Sequence, residues 1–275
     1  VNDPFWAVRA EVAEALATIQ LAQAVDGLLK GLEDKHPKVR RAVVNALAGV
    51  KTAKSYKALK TVVKNGDASY YVEGAAATAL GKVGSSTLDN GKNKEKKTLK
   101  LLAMVLEKRS GWNEVVRSGA IGGLSVFKSS EAALDLLLPY TEIGVPQALR
   151  LMAIRSLGRI AAGQSKVGCD RILDRLAAIA REEFFLTQVA VVMALGQMEI
   201  PGAVQVLQSL AEQSPDGRVK RRAEEAMGKV RKAIGADKAV SELRKDLDQL
   251  KQLNRDLKSR LETLEAKSKA DKKAD

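Results

Sequence analysis

Asp34-Lys35-His36-Pro37-Lys38-Val39-Arg40-Arg41, followed by Val43, Ala46 and Leu47, is the stretch whose reading decides the fold. Asp and Pro at its start suit a helix N-terminus, where free backbone N–H groups want an acceptor and proline has no N–H to lose. Val39, Val43, Ala46 and Leu47 then fall on one stripe at helical spacing. A lone helix of this length cannot dry such a stripe and needs neighbours to do so.

The same step, an apolar residue and often a basic one leading to Ala and Leu positions, recurs on both sides. Upstream, Asp3-Pro4-Phe5-Trp6-Ala7-Val8-Arg9 runs through Ala13 to Leu16. Downstream come Asp67 with Val72 and Ala79-Leu80-Gly81, Val116-Arg117 with Leu124, and Leu149-Arg150 with Leu157-Gly158. Ala194-Leu195-Gly196 and Val219-Lys220 with Met227-Gly228 complete the series. The closing anchors Leu16, Leu47, Leu80, Leu124, Leu157, Leu195 and Met227 stand 31 to 44 residues apart, the length of two helices and two short turns. Partner helices are predicted between them, over 24–32, 56–63, 99–106, 132–138, 172–180 and 203–210. The expectation is an all-α, HEAT/armadillo-like α-solenoid of about seven two-helix repeats over residues 1–235, each unit burying its stripe on the next. The longest interval contains the polar, Gly- and Asn-rich stretch 84–98, expected as a mobile surface loop.

Composition agrees with helices. Hydrophobic residues make up 45% of the 275 while aromatics are only 4%, so the core must be aliphatic. A net charge of +13 would suit nucleic acid, an anionic membrane or an acidic protein as partner, or reflect a Lys-rich solvated surface. The single cysteine, Cys169, rules out an internal disulfide. With no signal peptide and no apolar run able to cross a bilayer, the expectation is a cytoplasmic chain without membrane contact. A start at Val1 rather than Met reads as a piece of a longer protein.

After Gly235 the pattern changes. Val240, Leu247, Asn254 and Leu261 form one column seven residues apart, and Leu243, Leu250, Leu257 and Leu264 a second column three residues later. This is the seam of a coiled coil, predicting a heptad-patterned helix over 236–267 and a charged, fraying end over 268–275. A lone Asn at a seam position favours a parallel dimer, although such a helix would also serve by folding back on the solenoid or packing on another domain.

Catalytic chemistry finds no footing. The only histidine, His36, lies far from Cys169, whereas a zinc site needs three or four converging ligands. No zinc-binding HExxH pair, phosphate loop or dinucleotide fingerprint occurs. No catalytic, cofactor-binding or metal residue is therefore expected. The aromatic residues Phe5, Trp6, Tyr70, Tyr71 and Trp112 occupy comparable turn positions, and with Arg9, Arg40, Arg41, Arg117 and Arg150 they would line one edge or the concave face as an interaction surface. The other reading of these arginines is a ladder of hydrogen bonds to neighbouring repeats.

The stretches Asn2-Asp3-Pro4-Phe5-Trp6-Ala7-Val8-Arg9-Ala10-Glu11, Asp34 to Val43 and Ser69-Tyr70-Tyr71-Val72-Glu73 resemble the HEAT-like C-terminal region of bacterial M1-family metallo-aminopeptidases. The resemblance covers Val1 to about Gly235 and implies a non-catalytic domain that packs against a zinc-bearing catalytic domain and shapes substrate access. Zinc is implied only for that upstream domain, whose HExxH and Gly-x-Met-x-Asn motifs are absent here. The other functions weighed are a free-standing interaction scaffold, dimeric through its tail, and a basic nucleic-acid-binding solenoid.

Overall fold

The computed structural model describes residues 3–19, 24–86 and 91–271, and every regular element in them is helical. The helices alternate between two layers. The odd layer holds α1 (Trp6–Ile19), α3 (Pro37–Val50), α5 (Tyr70–Gly84), α7 (Val115–Leu124), α9 (Gln147–Ala161), α11 (Phe185–Leu195) and α13 (Gly217–Asp271). The even layer holds α2 (Val25–Gly31), α4 (Ala53–Asn65), α6 (Gly91–Lys108), α8 (Glu131–Leu137), α10 (Lys166–Ala180) and α12 (Pro201–Gln213). Each odd helix packs on the odd helices next to it, and from α3 onward also on the even helices next to it. The result is a solenoid of six pairs, with α13 opening the seventh repeat.

Local sequence explains the starts of these helices. The His36 ring accepts the Lys38 N–H with Pro37 as first helical residue, Thr52 accepts from Ser55, Ser130 from Ala133 and Ser165 from Gly168. The anchors Leu47, Leu80, Leu124, Leu157 and Leu195 are fully buried, so the stripes do dry against one another.

Small residues set the spacing of the odd layer. A methyl on Gly119 would overlap the Gly74 carbonyl, one on Gly81 the backbone of Gly123, and one on Gly158 the backbone of Ala194. Here helices touch backbone to backbone, a distance only glycine permits. The even layer is looser: open grooves of about 780 Å³ lie between α6 and α8 and about 570 Å³ beside α10 and α12. A stack whose layers are spaced unequally bends toward the tighter one, so the exposed rows of the odd helices line the inside of the curve.

Two sequence expectations change. The described part of 84–98 is mostly helix: α5 runs to Gly84 and α6 begins at Gly91, while residues 87–90 lie outside the described ones. Lys94, Glu95, Lys96 and Lys97 are good helix formers whose polarity mimics a loop. Thr98, fully buried behind them, bonds the Lys94 carbonyl at 2.8 Å and the Tyr56 hydroxyl at 3.0 Å. Nor does Gly235 mark a break. The helix predicted over 236–267 is the continuation of α13, which also carries the expected fraying end as helix through Asp271; residues 272–275 are outside the described ones.

The packing makes contrasting predictions for two helical glycines. Gly119→Ala should lower unfolding free energy by about 2 kcal/mol, since neither backbone can yield cheaply. Gly228, mid-helix with nothing within 4 Å of a would-be Cβ, should instead gain about 1 kcal/mol on mutation to Ala. Urea titration followed by circular dichroism measures both.

Candidate interaction surface

Along the edge where the odd helices begin, one carboxylate does two jobs. Asp34 accepts the His36 N–H at 2.8 Å and Asp67 accepts the Ser69 N–H at 2.8 Å, tightening the turn that starts the next helix. The same carboxylates receive an arginine from the fourth residue of the preceding odd helix. Arg9 reaches Asp34 at 2.6 and 2.9 Å, and Arg40 reaches Asp67 at 2.7 Å through two nitrogens. The remaining guanidinium nitrogen ties down the segment leading into its own helix: Arg9 donates to the Asp3 carbonyl at 2.7 Å and Arg40 to the Asp34 carbonyl at 2.7 Å. Both pairs are largely buried, with side-chain exposures of 7% and 10%, then 14% and 13%.

Later rungs keep the place and vary the chemistry. Arg150 forks onto Glu182 at 2.6 and 2.7 Å and donates to the Thr141 carbonyl at 2.8 Å. Glu73 reverses the polarity: it accepts the Asp67 N–H at 3.0 Å and meets Arg109 at 3.4 Å. Arg117 pairs with Glu114 at 3.2 Å and lies 5.8 Å from the Tyr140 ring of the next turn. Between α11 and α13 the rung is neutral, the Ser214 hydroxyl and the Gln188 amide oxygen at 2.9 Å.

The family profile of HEAT repeats matches residues 1–81, 144–228 and 172–251, more than half of the chain. The chain belongs to the HEAT-repeat family. Solved structures similar to this HEAT chain include the complex of CpcE and CpcF of phycocyanin lyase from Nostoc sp. PCC7120, at 19% identity over 83% of this chain and 91% of that one, TM-score 0.47. Human deoxyhypusine hydroxylase in complex with glycerol shares 20% identity over 84% and 81%, TM-score 0.40. An archaeal HEAT-like repeats protein from Thermococcus onnurineus NA1 shares 12% over 85% and 100%, TM-score 0.44. No curated protein matches.

The HEAT edge also holds the aromatic residues, and most of them stack across a repeat boundary. Trp6 lies flat on His36, centroids 4.4 Å apart and rings 4° from parallel, with the Lys38 ammonium 4.7 Å from the indole. Tyr71 meets Trp112 edge-on at 6.0 Å, and Phe185 lies 4.0 Å from the Arg218 guanidinium. Phe5, Tyr70 and Phe184 turn outward. The Tyr71–Trp112 pair stands apart because Tyr71 is 50% and Trp112 56% exposed. Trp112 is held out by Asn113 and Glu114, two successive non-glycine residues at positive φ (48° and 55°), a backbone conformation that must be held by its surroundings.

The inner face has a relief of its own. No residue of α7 is exposed: Gly119 packs on the Gly74 backbone and Gly122 is buried beside Thr78 and Met152, so this helix offers little open surface. Thr78 donates its hydroxyl to the Gly119 carbonyl at 2.9 Å, and Tyr71 stands exposed at the edge end of the same α5 row. Lys82 and Arg159 stand exposed toward the opposite end of the same rows, beside partly buried Arg155, and Leu186 and Met193 continue the apolar surface onto α11.

Of the sequence-predicted site residues, Arg9, Arg40 and Arg150 are therefore spent inside the HEAT stack and offer a ligand little. Arg117 is partly covered by Glu114 and Tyr140, and Arg41 is exposed on α3. Phe5, Tyr70, Tyr71 and Trp112 are open surface, while Trp6 is partly covered. In the heptad seam Leu247, Leu250, Asn254 and Leu257 are exposed; the side chains of Val240, Leu243, Leu261 and Leu264 lie outside the described ones. Reading the sequence missed the acceptors Asp34, Asp67 and Glu182 because they sit 25 to 32 residues beyond their arginines. A recurring acid in the turn ahead of each next unit was the available signal.

Among the described residues no three of His, Cys, Asp and Glu come together as metal ligands. Nor is any described helix long and apolar enough to cross a membrane. Burial, with Asp170 adding to it, raises the Cys169 thiol above its ordinary range, opposite to what a nucleophile needs.

The rungs make stability sensitive to acid. The Arg9 hydrogen bonds hold Asp34 below the usual carboxylate range. At Asp67 burial pushes upward, but the Arg40 and backbone hydrogen bonds prevail and the net shift is also down. Their contribution is complete above the unfolded carboxylate value, about 3.9, and disappears as pH falls through the lower folded values. Thermal melts should therefore be flat near neutrality and drop below about pH 4. Asp67→Ala, which strands Arg40, should cost about 2 kcal/mol at pH 7, and Arg40→Leu with Asp67→Leu less than that.

Proposed function

We propose that this HEAT chain is a protein-interaction scaffold that receives a partner segment on the inner, odd-helix face, anchored at Tyr71 and Trp112. The observation that carries the reading is an aromatic pair left half in solvent by a strained turn. Aromatic residues ordinarily bury their large apolar area, and interface energy concentrates on Trp and Tyr beside a recess. Arg159, exposed on the same face, and partly buried Arg155 favour acidic groups on the segment that lies there.

Covering a zinc aminopeptidase domain, the role the resemblance implies, is one form of this reading. Its narrower residues have other work to do, however. Arg9 and Glu73 are rungs, and Trp6 stacks on His36. Repeat packing alone accounts for them, so the scaffold reading stands without a particular neighbouring domain.

Peptide ligands selected from a random display library on the wild-type chain test the proposal. Tyr71→Ala with Trp112→Ala should weaken the selected ligands about 30-fold or more while the thermal melt stays within a few degrees. In a Trp6→Phe background, ligand binding should shift Trp112 fluorescence to the blue. Ligands that bind the double variant as tightly as the wild type would overturn the reading.

A further inference from the structure

Among the described side chains of the far half of α13, the apolar seam is left uncovered by its own chain. Val219, Ala223, Ala226 and Val230 bury the near end of the helix on α11 and α12. Ile234 is half-buried, and beyond Gly235 each described side chain is exposed. Leu247, Leu250 and Leu257 are 52%, 58% and 54% exposed, with Asn254 exposed between them on the same stripe. Four leucines, counting Leu253, cannot stay in water along one rod without cost.

We infer that a second copy of this chain covers the seam, as a parallel, in-register two-stranded coil running from Val240 to Leu264. The seam residues choose that occupant. In parallel register Asn254 meets the partner's Asn254, and the two amides satisfy each other; in an antiparallel pair each would face a leucine and lose its hydrogen bonds. The flanking charges agree. The heptad register places Asp246 opposite the partner's Lys251, and Arg260 opposite the partner's Glu265, each contact occurring twice by symmetry. The antiparallel registers that centre on Asn254 and keep the two seam columns facing instead set Lys251 against the partner's Lys251 or Lys258. The polar seam residue also disfavours three or more strands. At 1.5 Å per residue the seam is about 36 Å long, enough for a measurable, concentration-dependent dimer and not for a permanent one.

The proposal is independent of any ligand on the inner face and is read by mass. Sedimentation equilibrium of the full chain over a concentration series should rise from 29.6 kDa toward twice that mass. Leu250→Lys with Leu257→Lys should stay monomeric with the solenoid's melt unchanged. Asp246→Lys should weaken the dimer about tenfold, and adding Lys251→Asp should restore it. Residues five apart do not face each other on one helix, so that rescue reports a contact between copies. A wild-type monomer at every concentration would overturn the inference. So would a dimer that survives the two lysines, or a charge reversal that Lys251→Asp fails to rescue.

Discussion

The structure depends on a shared carboxylate. At Asp34 and again at Asp67, one side chain tightens the turn that begins a helix and receives the guanidinium of the helix before it. Apolar stripes give adhesion between units but little register, because aliphatic surfaces tolerate sliding. A forked arginine on a carboxylate is directional, and at Arg9, Arg40 and Arg150 it sets the register of one repeat against the next. A buried ion pair adds modest net stability; its main effect is to make misaligned stacking expensive, since a slipped unit would strand a charge.

Close approach of the odd helices is the second constraint, and the two support each other. Glycines at 74, 81, 119, 123 and 158 bring neighbouring backbones into contact, which is worth having only if register is already set. Glu73 in place of arginine, and Arg117 with a ring in place of a distant acid, show that the rung's position matters more than its sign. The same irregular stretch supplies the strained turn at Asn113 and Glu114 that displays Trp112. The part of the stack where the edge departs most from its own pattern is also the part with the most distinctive surface.

Much of the fold was legible because the signal is local. Val39, Val43, Ala46 and Leu47 lie within one helix, and their stripe repeats with a period that only stacked pairs explain. Local signals also misled: the lysines of 94–97 look like a loop when viewed without buried Thr98 behind them. The candidate surface was only half legible. Its aromatic residues announce themselves by position, but whether an arginine is a handle for a ligand or a rung depends on an acid some 25 to 32 residues away. The left-handed turn that exposes Trp112 has no glycine to signal it.

The continuity of α13 has a mechanical consequence. The helix whose near end is the last slab of the core is also the rod that projects past Gly235, with no hinge between them. Any rotation of the terminal repeat, such as a spring-like tightening of the superhelix around a bound segment, is carried along the rod as a lever carries a small angle to a large displacement. A loop at that point would have absorbed the motion; an unbroken helix delivers it to the far end.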